Sequence, residues 1–177
     1  MSDPTDIPPP PDAKRARPAG SGPAAKKKPA KSPRRRSREL ALQGLYAWQA
    51  GESDAGAIEA HLREQPDYAR CDKPHFELLL HGCIKEAAEL DALLARHLDR
   101  RAALLSPIEH GALLIGAYEF RHCIDIPYRV VINEAVELAK GFGGTDGHKY
   151  VNGVLDKAAA DLRPVEVQAA RAAGGRR

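Results

Sequence analysis

The stretch LSPIEHGALLIGAYEFRHC, residues 105–123, constrains the fold more than any other part of the chain. Ser106 and Glu109 flank Pro107 in the spacing of a capping box with proline at the first helical position. Behind them Ile108, Ala112, Leu113, Leu114, Ile115, Tyr118 and Phe120 are distributed nearly all round the helix axis. A helix that is apolar on every side must be covered on every side. The rest of the chain therefore has to supply a shell of elements around it.

That shell reads as helical almost throughout. RRRSRELALQGLYAWQAG, from Arg34, places Ala41, Leu45 and Trp48 on one face and ends at Gly51. DAGAIEAHLREQ gives a short second helix that stops before Pro66. PHFELLLHGCIKEAAELDALLARHL gives a third, and a fourth after a break near Glu89. After the central helix, PYRVVINEAVELAKGF repeats apolar Ile132, Ala135, Val136 and Ala139 at helical spacing. Gly141, Gly143 and Gly144 then stop it and turn the chain. Thr145 or Asp146 caps a seventh helix, whose stripe is Val151, Val154, Leu155, Ala158, Ala159 and Leu162. No alternating pattern long enough for a strand occurs, so the expectation is all-α: about seven helices in two small bundles sharing the central buried helix.

The two ends differ from this middle. Residues 1–33 hold 9 of the 14 prolines, no aromatic residue, and Ile7 as their one sizeable aliphatic. Such a segment buries too little apolar area to offset its ordering entropy, and reads as a disordered basic tail. Residues 165–177 read as a second disordered tail, leaving residues 34–164 as the helical domain. Charge divides the same way. Residues 1–38 carry 11 Lys and Arg against 3 Asp, while the remainder carries 16 basic against 21 acidic residues. A basic end on a mildly acidic body points to a polyanionic partner.

Several function classes are excluded. No apolar run approaches a membrane span, and no secretory h-region is visible, so a cytoplasmic location is expected. Cys71, Cys83 and Cys123 form no C-x-x-C pair, and His81 and Cys83 diverge on a helix, so no metal or redox site is supported. GFGGTDGHKYVNGVLDK, residues 141–157, looks at first like a phosphate loop. Its lysine is wrongly flanked, however: His148 precedes Lys149 and Tyr150 follows, where a nucleotide loop needs Gly before and Ser or Thr after. Glu134 and Glu137 share a polar face with Asn133 and Lys140 and read as solvated. Glu119, inside the apolar helix, reads as a structural hydrogen-bonding group to a neighbouring helix end. No catalytic motif and no cofactor loop remains.

The positive signal is for nucleic acid. Arg34, Arg35, Arg36 and Arg38 surround the start of the first helix. Cations there oppose the helix dipole by ~0.3–1 kcal/mol each, a cost that bound phosphates would offset. Tyr46 lies about 140° from Ala41 on the helical wheel, away from the Leu45–Trp48 stripe and in line with Arg35. An off-core tyrosine beside arginine suits single-stranded RNA, through stacking and phosphate pairing together. A generic basic tail and a core-margin tyrosine would give the same periodicity. Phe142, Asp146, His148, Lys149 and Tyr150 gather at the turn before the seventh helix as a binding lip.

RRRSRELALQGLYAWQ, LSPIEHGALLIGAYEF and IPYRVVINEAVELAKGFGGTDGHKYVNGVLDKAA, in this order, resemble the NusB family over roughly residues 34–164. The resemblance implies an all-helical protein without catalysis or cofactor. It implies binding to the boxA element of nascent ribosomal RNA together with NusE, a small-subunit ribosomal protein. It also implies recruitment to RNA polymerase to suppress termination. Carried over residue by residue, it assigns RNA contact to Arg34, Arg35, Arg36, Arg38, Tyr46, Phe142, Asp146, Lys149 and Tyr150, and the NusE side to Glu109. It also allows a homodimer formed through the RNA face. Two positions depart from the family pattern: Gly147 stands where serine is usual, and Tyr150 where phenylalanine is frequent. Two other readings compete: a protein-interaction bundle whose basic end is incidental, and an accessory domain like those preceding some ribosomal RNA methyltransferases. The chain has no room for a cofactor-binding α/β domain, which weighs against the second.

Overall fold

Eight helices build the fold in the computed structural model, which describes residues 29–51 and 54–175. They are α1 (Pro33–Gln49), α2 (Ala55–Arg63), α3 (Lys73–Lys85), α4 (Ala87–Ala95), α5 (Pro107–His122), α6 (Tyr128–Phe142), α7 (Gly147–Leu162) and α8 (Pro164–Gly174). Among the described residues there is no strand. The expected basic tail falls almost wholly on residues outside the described ones. Short polar caps start the first helices: Ser32 accepts from the Arg35 amide, Asp54 from Ala57 and Asp72 from His75. The break between α3 and α4 falls at Glu86, slightly earlier than expected.

The central helix is α5, as its apolar girdle requires. Gly111 through Phe120 are all buried, and both halves of the Ser106–Glu109 capping box are formed. α1, α2 and α3 pack together, α7 packs against α6 and α4, and α1, α3, α4, α6 and α7 each contact α5. Close approach is secured by small residues. A Cβ on Gly82 of α3 would stand 2.3 Å from the Tyr118 ring, so only glycine lets α3 and α5 meet there.

The expectation of a disordered end after residue 164 is corrected by α8, which adds one helix to the about seven expected. Val167 is buried and anchors it, with Ala170 packed alongside. Its entry is fixed by Arg163, a buried residue. The Arg163 guanidinium donates to the carbonyls of Glu119 (3.0 Å), Phe120 (2.6 Å), Cys123 (2.9 Å) and Ile126 (3.2 Å) and pairs with Glu166. Glu166 in turn accepts from the Tyr128 amide at 3.0 Å. One side-chain pair thus gives the Phe120 and Ile126 carbonyls their partner and caps the start of α6, which has no side-chain cap of its own. One apolar anchor and two charged residues carry too little periodicity to be read as a helix from sequence.

Candidate nucleic-acid interface

Helix directions place the candidate residues. α1 runs antiparallel to α5: Arg38 meets Glu119 near its end, and Gln49 donates to the Pro107 carbonyl at its start (3.2 Å). α6 is also antiparallel to α5, since a Cβ on Gly143 would lie 3.3 Å from Ile108. α1 and α6 therefore run in the same direction, cross-linked by Arg35 and Glu134. Tyr46 lies about 16 Å beyond Arg35 along α1, and Phe142 about 12 Å beyond Glu134 along α6. Both aromatic side chains are exposed, at 49% and 40%. The end of α1 and the α6–α7 turn lie toward the start of α5, whereas the arginine cluster at the start of α1 lies toward the end of α5, beside Asp72 and Asp125.

The arginines are all partnered. Arg34 pairs with Asp72 at 3.4 Å and Asp125 at 3.2 Å. Arg35 makes a bidentate pair with Glu134, both bonds at 3.0 Å. Arg36 reaches Asp67 at 3.3 Å. These carboxylates come from the α3 cap, the α5–α6 connection, α6 and the 3₁₀ turn at Pro66–Arg70. They offset the clash with the α1 dipole that the sequence leaves open for phosphate. The hydrogen bond from Arg34 is the main cause holding the Asp125 carboxyl below its ordinary pKa.

Arg38 corrects the reading of four outward arginines. It is 3% exposed, and its Nε donates to Glu119 Oε1 at 2.8 Å. Glu119 is 1% exposed and its same oxygen also meets His75 Nε2 at 2.8 Å. A helix that buries Ala41, Leu42 and Leu45 also turns Arg38 inward, and a buried charge has to be paired. Glu119 thus bonds side chains rather than a helix end. Glu134, read as solvated, is half-buried between Arg35 and Arg38.

The turn before α7 has local bonds of its own. Asp146 occupies the N-cap position of α7 but makes no capping bond; it pairs instead with Lys149 at 3.1 Å, both side chains exposed. Tyr150 is half-buried. Its hydroxyl donates to Asp99 Oδ1 at 3.0 Å, and the Arg100 guanidinium lies 4.8 Å from its ring centroid. Arg100, followed by the Tyr150 hydroxyl, draws the Asp99 carboxyl down to about 2. Neither Asp99 nor Arg100 is signalled by the sequence, because their connection is an irregular segment with no period. Glu109 sits at the same end: a Cβ on Gly147 would meet its Oε1 at 2.8 Å. The departure to glycine therefore lets α7 start directly against the capping box, at the loss of the usual hydroxyl.

Among the described residues no cluster of three or more His, Cys, Asp or Glu could hold a metal, and no helix is long and apolar enough to cross a membrane. What the surface offers is cation, aromatic and carboxylate groups on α1, on α6 and at the α6–α7 turn.

Comparison with known proteins places the chain in a family. The NusB family model matches residues 35–160. The transcription antitermination protein NusB of Ralstonia nicotianae is 59% identical over 151 residues, covering 85% of this chain and 97% of its own. That of Bordetella pertussis is 57% identical over 145 residues, covering 80% and 94%. A solved structure of T. maritima NusB is 32% identical with a TM-score of 0.61, covering 73% of this chain and 92% of that one. A crystal structure of antitermination factors NusB and NusE in complex with dsRNA is 23% identical with a TM-score of 0.61, covering 70% and 93%, and supports the fold. The chain belongs to the NusB family of transcription antitermination proteins.

Proposed function

We propose that this protein binds the boxA element of nascent ribosomal RNA together with NusE and joins RNA polymerase in an antitermination complex. The observation that carries the reading is the placement of exposed Tyr46 and Phe142 beyond the arginine cluster on two parallel helices. Arg34, Arg35 and Arg36 engage phosphates, and the two aromatic rings take bases by stacking. Asp146 accepts from base amino groups and contributes selectivity, while Lys149 supplies a further phosphate contact. Tyr150, held by Asp99 and Arg100, walls the site. Arg38 acts from within, through its pairs with Glu119 and Glu134. Glu109 faces the NusE side. A family relative crystallised with NusE and RNA supports the assembly.

Anisotropy with a boxA-type RNA tests the site. Tyr46→Ala and Phe142→Ala each remove one stacking platform, worth ~1–3 kcal/mol per base, and weaken binding roughly five- to hundredfold with unchanged melting. Full affinity in both variants would remove the RNA site from this edge.

A further inference from the structure

The carboxylates that hold the arginines raise a question of exchange, because a phosphate must displace them. Glu134 has the arrangement best suited to this. Both its oxygens bond the half-buried Arg35 at 3.0 Å, and Oε2 also stands 3.7 Å from the inner Arg38. Arg38 is committed to Glu119 through Nε, which leaves its outer nitrogen facing Glu134. A carboxylate displaced from Arg35 therefore still has a cation behind it.

We propose that Glu134 is a specificity-determining residue that occupies Arg35 until RNA phosphate takes it, with Arg38 as the reserve partner of the released carboxylate. The inference rests on the RNA reading of the site. Its physical basis is competition. Bidentate Arg–carboxylate and Arg–phosphate pairs use the same planar fork, so Arg35 serves one at a time. Displacing Glu134 costs free energy that is recovered only when the RNA is also held elsewhere, at Tyr46, Phe142 and Asp146. RNA lacking those contacts faces an arginine already engaged. The charge balance of the cluster thus suppresses binding to arbitrary polyanions while leaving the arginine in a fixed geometry.

The test is a cycle of Glu134→Gln, Arg35→Ala and the double variant, in the full chain, measured by anisotropy with a boxA-type RNA and a scrambled RNA across a salt series. Gln keeps the size and removes the charge. The expected result is tighter binding by E134Q, roughly two- to fivefold for the boxA-type RNA. The gain is larger for the scrambled RNA, so discrimination falls. E134Q has no effect in the R35A background. Weaker binding by E134Q in both backgrounds would overturn the proposal and give Glu134 a purely architectural role. Unchanged binding by E134Q with a loss in R35A would also overturn it, while leaving the RNA site standing. No change in either variant would remove the RNA reading at α1 itself. Thermal melting establishes that each variant is folded. Should E134Q not fold, Glu134→Asp keeps the charge near Arg38, withdraws it from Arg35 and carries the same expectations.

Discussion

Replacing Arg38 with Met separates the architectural arginine from the binding ones. Arg38 and Glu119 are 3% and 1% exposed and 2.8 Å apart, so solvent screens the pair little. The variant leaves the Glu119 carboxylate buried with His75 as its remaining side-chain partner. Breaking one side of a buried pair costs about 3–5 kcal/mol, a large fraction of the ~5–15 kcal/mol that holds a typical domain folded. In urea, at a slope near 2 kcal/mol/M, the midpoint falls by about 1.5–2.5 M. The single tryptophan, Trp48, lies in α1 and reports the transition, with helical circular dichroism as the second probe. Adding Glu119→Gln removes the stranded charge, so the double variant loses less than the sum of the singles by on the order of 1–3 kcal/mol. RNA affinity of the folded R38M protein stays within about threefold, since a group outside the contact set acts only indirectly. A midpoint unchanged within error, with a tenfold loss of RNA affinity, would refute the inward placement.

Other outcomes follow from the remaining buried groups. Arg163→Ala strands the Phe120 and Ile126 carbonyls, while those of Glu119 and Cys123 keep a backbone donor, and it uncouples Glu166 from its arginine, which costs about 3–5 kcal/mol and frays the α5–α6 connection, visible as faster amide exchange at Tyr128. The Tyr128 amide, with Arg163, holds Glu166 below its ordinary pKa. Its stabilisation is therefore complete above the unfolded value, about 4.3, and lost as pH falls through the lower folded value; Glu166→Gln flattens the stability curve over that window. Burial raises Cys83 well above an ordinary thiol and Cys123 to about 11. At neutral pH both stay protonated and react with a thiol reagent only on unfolding, while half-buried Cys71 reacts first.

The fold was legible where local chemistry decides it. Ser106, Pro107 and Glu109 announce the start of α5, and its all-round apolar surface dictates that it be central. Glycines after Phe142 mark the turn that carries the second lip. What the sequence does not convey is pairing across distance. The partners of Arg34, Arg35 and Arg38 lie 38 to 99 residues away, so the arginine run reads as free cation when it is a set of closed ion pairs. Arg38 shows the consequence: periodicity alone cannot tell an outward arginine from one paired inside. Glu134 is the converse case, a residue on a polar face that a neighbouring helix covers. Likewise α8 depends on Arg163 meeting carbonyls about 40 residues upstream, a signal with no local trace. Candidate aromatic positions were clearer, because Tyr46 departs from the apolar stripe of its own helix and is exposed in the structure.

The most direct test of the whole account is anisotropy of the full chain with a boxA-type RNA and a scrambled RNA, with and without purified NusE, across a salt series. The expected result is preference for the boxA-type RNA, sharpened by NusE, on top of a salt-dependent electrostatic contribution. Equal, weak and salt-sensitive binding to both RNAs, unmoved by NusE, would contradict it and leave only nonspecific attraction to the basic end.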